Sequence, residues 1–104
     1  MRAETLKGHL DFLLLAIVAA EPAHGYRIIE TLKLRSGGAF DLPEGTIYPA
    51  LHRLEQSGVL TSDWAIEAGR RRRVYRLTGR GRRELAGRRK EWAGFAKAVE
   101  AVVA

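Results

Sequence analysis

The chain has 104 residues, enough for one domain with one core and too few for a second. At 46% hydrophobic and 29% charged residues it is too apolar for a disordered protein and ordinary for a soluble globular one. With no cysteine, disulfides, thiolate chemistry and cysteine zinc sites are excluded, and a reducing compartment fits. The net charge of +6, from 18 basic and 12 acidic residues, favours an anionic partner.

That charge is unevenly placed. Residues 1–66 carry 6 Lys/Arg against 8 Asp/Glu (net −2), and residues 67–104 carry 12 against 4 (net +8). Most of the excess is arginine, whose planar fork of donors suits phosphate oxygens and guanine edges.

The first helix is predicted over about 4–20. Leu6, Leu10, Leu14 and Ile17 recur at helical spacing. The run Phe12–Ala20 imitates a signal peptide, but its nine residues fall far short of the ~20 that span a bilayer. Glu4 and Asp11 also interrupt a basic leader. The helix is apolar over more than one face, which predicts burial on two sides, one of them under a second subunit. Glu21-Pro22 ends it.

A second helix is predicted over His24–Ser36, with Ile28, Ile29 and Leu32 buried and Gly37-Gly38 as its stop. The third should start near Pro43–Thr46 and run to Ser57, with Ile47, Leu51 and Leu54 on its inner face. Pro49 is placed in its first turn, where a missing N–H costs nothing. Gly58-Val59 reads as its C-terminal cap.

Leu60–Ile66 alternates as a strand, Glu67–Arg72 reads as a polar connection, and Arg73–Thr78 reads as a second strand. Thr78 can cap a last helix reaching about Val103. On it Leu85, Trp92, Phe95, Val99 and Val102 follow the a/d spacing of a heptad, with Arg88 in the polar slot.

Three helices, a β-hairpin and a fourth helix make a mostly α fold: a winged helix-turn-helix over residues 1–78 and a C-terminal dimerisation helix over 79–104, within one structural domain. In that arrangement the third helix enters the major groove of double-stranded DNA and the hairpin reaches the backbone or minor groove. Thr46, Tyr48, Pro49, His52 and Arg53 then fall on the outer face of the third helix, as a recognition surface or a plain solvated one.

Arg70, Arg71, Arg72 and Arg73 form the tip of the wing. Four adjacent like charges repel, and Arg80, Arg82 and Arg83 oppose the dipole of the helix they begin. A polyphosphate partner offsets both costs, whereas a solvated basic loop would not. A protein-interaction module using this wing on an acidic partner is the competing reading. Trp92 is either a buried dimer anchor or a stacking surface for a flat aromatic effector.

Catalytic and metal readings are poor. His9, His24 and His52 lie on three different segments without ligand spacing. No nucleophilic triad or carboxylate pair is legible, and Gly79-Arg80-Gly81 lacks the rest of a phosphate-binding loop. No enzyme and no cofactor is expected.

The chain resembles the PadR-like transcriptional regulators over nearly its whole length. The resemblance rests on His24-Gly25-Tyr26 with Ile28, on Gly45 through Glu55 (GTIYPALHRLE), on Gly58-Val59-Leu60, and on Tyr75-Arg76-Leu77-Thr78 with Gly81. Each piece is short, and their order and spacing together are specific. The resemblance implies a cytoplasmic bacterial repressor, a homodimer on a palindromic operator. It implies operator contacts at Thr46, Tyr48 and Arg53 and along Arg70–Arg73. It implies packing at Tyr26, with room for a phosphate contact. It also implies dimerisation through the last and first helices, here Leu10, Leu14, Leu85, Trp92, Phe95, Val99 and Val102. The chain is similar to the short subgroup, in some of whose members a tryptophan of the last helix lines a ligand cavity at the dimer centre. Trp92 stands at the matching position.

Overall fold

The computed structural model describes Leu6 and residues 8–104. The start of the expected first helix therefore lies partly outside the described residues. Within them the chain turns at Gly8, whose φ of +86° suits only glycine well. The His9 N–H donates to the Leu6 carbonyl at 2.8 Å, and the helix α1 that follows spans Leu10–Ala20.

A two-residue strand, β1 (Ala23–His24), precedes α2 (Gly25–Arg35). The His24 ring caps α2: Nδ1 accepts from the Arg27 N–H at 3.2 Å. Ser36 and two left-handed glycines, Gly37 and Gly38, stop α2 as the sequence predicts. Helix α3 spans Glu44–Gln56. Pro49 lies one turn deeper in α3 than expected, so the Gly45 carbonyl loses its usual i+4 donor. The end of α3 is as read: Gly58 has φ +83°, the Val59 N–H donates to the Leu54 carbonyl, and the Val59 side chain is buried.

The hairpin is longer than its sequence suggests. Strands β2 (Leu60–Glu67) and β3 (Arg70–Leu77) are joined by only Ala68-Gly69. Both turn residues have positive φ, +50° and +74°, the backbone that matches strand twist in a two-residue loop. Arg70, Arg71 and Arg72 are thus strand residues, paired with Glu67, Ile66 and Ala65, and not a loop tip. The antiparallel sheet has the order β1-β3-β2, which leaves β2 at an edge.

Helix α4 (Gly79–Val103) is capped by Thr78, whose Oγ1 accepts from the Gly81 N–H at 3.0 Å and donates to the Gly58 carbonyl at 2.6 Å. The core lies where α1, α2, α3 and the base of the sheet meet, around Leu14, Leu15, Ile28, Ile47, Leu51, Leu60 and Tyr75. Only Gly81 and Leu85 of α4 are buried. Beyond Leu85 no residue of α4 is buried, and the described molecule measures 51 × 29 × 20 Å.

Gly81 fixes where α4 leaves the core, because a Cβ there would overlap the Val59 carbonyl oxygen. A backbone atom cannot step aside cheaply. Gly81→Ala should lower the unfolding free energy by about 1–2 kcal/mol, the overpacking outweighing roughly 1 kcal/mol of added helix propensity. A urea midpoint shifted down at unchanged slope is the expected reading.

Candidate nucleic-acid interface

Helix α3 buries Ile47, Ala50, Leu51 and Leu54. At 3.6 residues per turn the opposite side is Gly45, Pro49, His52 and Gln56, all exposed. These four form the outward ridge. Thr46 and Arg53 lie on one flank, and Tyr48 and Glu55 on the other. Pro49 and His52 therefore sit where the sequence places them, while Gln56 is an addition that its polar, non-basic side chain had hidden.

The two flanks are tied to different parts of the fold. Arg53 donates to the Asp11 carboxylate of α1. One guanidinium nitrogen is thus engaged by α1, while the side chain stays 59% exposed. On the other flank the Ser62 hydroxyl donates to Glu55 Oε2 at 2.7 Å, and Arg73 Nε donates to Ser62 Oγ at 2.7 Å. Arg73 also pairs with Glu55 at 3.8 Å. This chain of contacts links the wing to α3.

The strand pairing divides the four arginines. Arg71 and Arg73 share a face with Trp64 and Ile66, since directly opposed residues point the same way. The guanidinium groups of Arg71 and Arg73 stand 4.3 and 5.3 Å from the Trp64 ring. Arg72 points to the opposite face and stands 5.5 Å over the Tyr26 ring. At the base of the wing, Arg76 is paired with Asp63 at 3.0 Å.

Tyr26 and Tyr48 meet edge to face at 6.4 Å. The Tyr26 phenol is held above its ordinary pKa by its hydrogen bond to the Glu44 carboxylate, and burial does the same for Tyr48. Gly25 makes room for this pair, because a Cβ there would overlap the Tyr48 ring. The starts of α2 and α3 and the wing strand thus converge on one aromatic cluster beside Arg72.

His24 joins the same cluster to the wing, with Nε2 3.4 Å from Glu67 Oε2. Burial, then the charge of Arg72, lowers the His24 pKa below 6.5, against the pull of Glu67. The folded chain resists a proton that the unfolded chain accepts. Stability should therefore be unaffected by this group well above pH 6.5 and fall as pH drops below it. Urea midpoints at pH 7.5 and 5.5 should show that loss, and His24→Gln should shrink it.

The residues assigned to a subunit interface divide in two. Leu14 is 0% and Leu85 3% exposed within one chain, so both belong to its core and cannot meet a partner. Leu10 packs at the core margin. Trp92, Phe95, Val99 and Val102 remain exposed along α4. Gly8, His9, Phe12, Arg88, Glu91, Trp92 and Phe95 line an open cleft of about 360 Å³. In it the His9 and Trp92 rings meet edge to face at 5.9 Å. Among the described residues no cluster of His, Asp and Glu could hold a metal ion, and no helix is long and apolar enough to cross a membrane.

The profile of the "Transcriptional regulator PadR-like family" matches residues 14–87, which take in α2, α3, the wing and the start of α4. This chain belongs to the PadR-like family. It is 40% identical to a transcriptional regulator of Mycobacterium tuberculosis over 76 residues, 73% of this chain and 58% of that one. Its fold is similar to a PadR family transcription regulator from Clostridium difficile R20291, with TM-score 0.82, 30% identity, and coverage of 93% of this chain and 100% of the other. It is also similar to a PadR-like regulator from Bacillus cereus, with TM-score 0.85, 26% identity and 97% of each chain covered. The PadR-like chain is accordingly a winged-helix DNA-binding transcriptional regulator and not an enzyme.

Proposed function

We propose that this PadR-like chain is a cytoplasmic repressor that binds a palindromic operator as a homodimer. The observation that carries this reading is the exposed ridge of α3 standing beside a wing strand of four arginines. Thr46, Tyr48, Pro49 and His52 meet base edges or nearby phosphates, and Arg53 joins them through the guanidinium donors that Asp11 does not take. Arg70–Arg73 hold the phosphate backbone and set affinity more than sequence preference.

Pairing of α4 through Trp92, Phe95, Val99 and Val102 places two reading heads on half-sites about 10 bp apart. A gel-shift titration on the DNA upstream of the chain's own gene tests the reading, together with a transcription assay from that promoter. A two-chain complex that lowers transcription is expected. Absence of binding to any duplex at low salt refutes it.

A small aromatic effector is a second element of the proposal, supported by the cleft at Trp92. Ligand binding there would be linked to release from DNA. Quenching of fluorescence by candidate aromatics, lost in Trp92→Ala, is the expected sign. An operator affinity indifferent to every such ligand leaves Trp92 as a packing residue.

A further inference from the structure

Trp64 has no role in the core. It is 54% exposed, it lies on the edge strand β2, and its neighbour Ile66 is 72% exposed. A half-exposed tryptophan on a solvent edge contributes little burial and is an aggregation liability. Its ring contacts are instead two positive charges, Arg71 at 4.3 Å and Arg73 at 5.3 Å. The two guanidinium groups repel one another, so their convergence needs a cause. The register supplies it: Trp64 opposes Arg73 directly, and Arg71 opposes the next residue on the same face, Ile66.

We propose that Trp64 is a positioning residue for DNA phosphate contact, its indole holding the Arg71 and Arg73 guanidinium groups in place on one face of the wing. The proposal rests on the DNA-binding reading above and adds the group that aims the arginines. Arginine is among the side chains that lose most freedom on ordering. Two arginines already stacked on a ring lose less when they meet a phosphate. The stack leaves guanidinium edges free to donate, since cation–π contact uses the plane and hydrogen bonding uses the rim. Arg73 is additionally fixed by Ser62 and Glu55, which gives the stack a defined position relative to α3. Arg72, on the other face, is aimed by Tyr26 and is independent of Trp64.

The test is a salt titration of duplex binding by the full chain, using an end-labelled upstream duplex between 50 and 200 mM salt. Trp64→Leu should weaken binding about tenfold and flatten the log–log salt slope by about one unit, near the value for one phosphate contact. Trp64→Phe, which restores an aromatic face, should recover most of both. In an Arg71→Ala/Arg73→Ala background, Trp64→Leu should cost less than about twofold, because the groups it aims are gone. Parent-like affinity and slope in Trp64→Leu would overturn the proposal. So would an undiminished loss in the arginine-free background, or a Trp64→Phe protein as weak as Trp64→Leu. A parent chain that binds no duplex overturns the DNA reading itself and this proposal with it.

Discussion

Replacing Arg70, Arg71, Arg72 and Arg73 together by alanine should weaken operator binding on the order of 10²-fold near physiological salt, while leaving the fold intact. The four side chains are strand residues at the far end of the hairpin, away from the core around Leu51 and Tyr75. Their contacts are to Trp64, Tyr26, Ser62 and Glu55, all outside the core cluster. The magnitude follows from counting roles. Arg73 shares its guanidinium with Glu55 and so counts as less than a full contact, which makes the four together worth about three phosphate contacts. Three charge-assisted contacts at about 1 kcal/mol each give that factor. The same count predicts a salt slope shallower by about 2.7 units, at 0.9 per phosphate. Loss of affinity without any change of slope would mean that the arginines shape the wing and do not touch the backbone. Because phosphate contacts carry no sequence information, operator and random duplex should both weaken. Changing His52 or Thr46 should instead narrow the gap between them.

Much of this interface was legible because short-range rules govern it. Ile47, Leu51 and Leu54 share a face by helical arithmetic, and all three are buried. The caps at Gly58-Val59 and Thr78 depend on residue types that local backbone geometry demands. The wing register was not legible. Ala68 at positive φ has no sequence signal, and a run of arginines reads as loop by charge even where the ladder makes it strand. Strand β1 has two residues and so no period to detect. The Asp11–Arg53 pair joins residues 42 apart, and periodicity tells which face of a helix is wet but not which neighbour stands on its flank. Leu14 and Leu85 show the same limit for apolar residues. Their hydrophobicity demanded burial, and the single chain meets it for these two, while Leu10, Phe12 and Leu13 of α1 stay only partly buried.

Helix α4 presents the opposite case, and Val99→Asp is the substitution that separates the two. Beyond Leu85 the helix continues to Val103 with no buried residue, yet Trp92, Phe95, Val99 and Val102 keep an apolar seam along it. A helix of this length is marginal in water on its own, and a seam at a/d spacing is stabilised when a second helix covers it. Val99 is 40% exposed in one chain, so an aspartate there stays solvated in a monomer and costs little. Across a paired seam it becomes an unpartnered buried charge, worth about 3–5 kcal/mol. Dimerisation should therefore weaken by roughly 10²–10⁴, from the conversion of 1.4 kcal/mol per factor of ten. Sedimentation at micromolar concentration should show two chains for the parent and one for Val99→Asp, with the melting of the α1–α3 core preserved. Operator affinity should fall with it, since each half-site must then be bound separately and the second loses its effective concentration. Leu85→Asp makes the contrast, because its side chain lies in the core of one chain and the substitution should unfold it outright. If Val99→Asp sediments as the parent does, α4 is not the subunit interface. A palindromic operator would then have to be read by two heads joined in some other way.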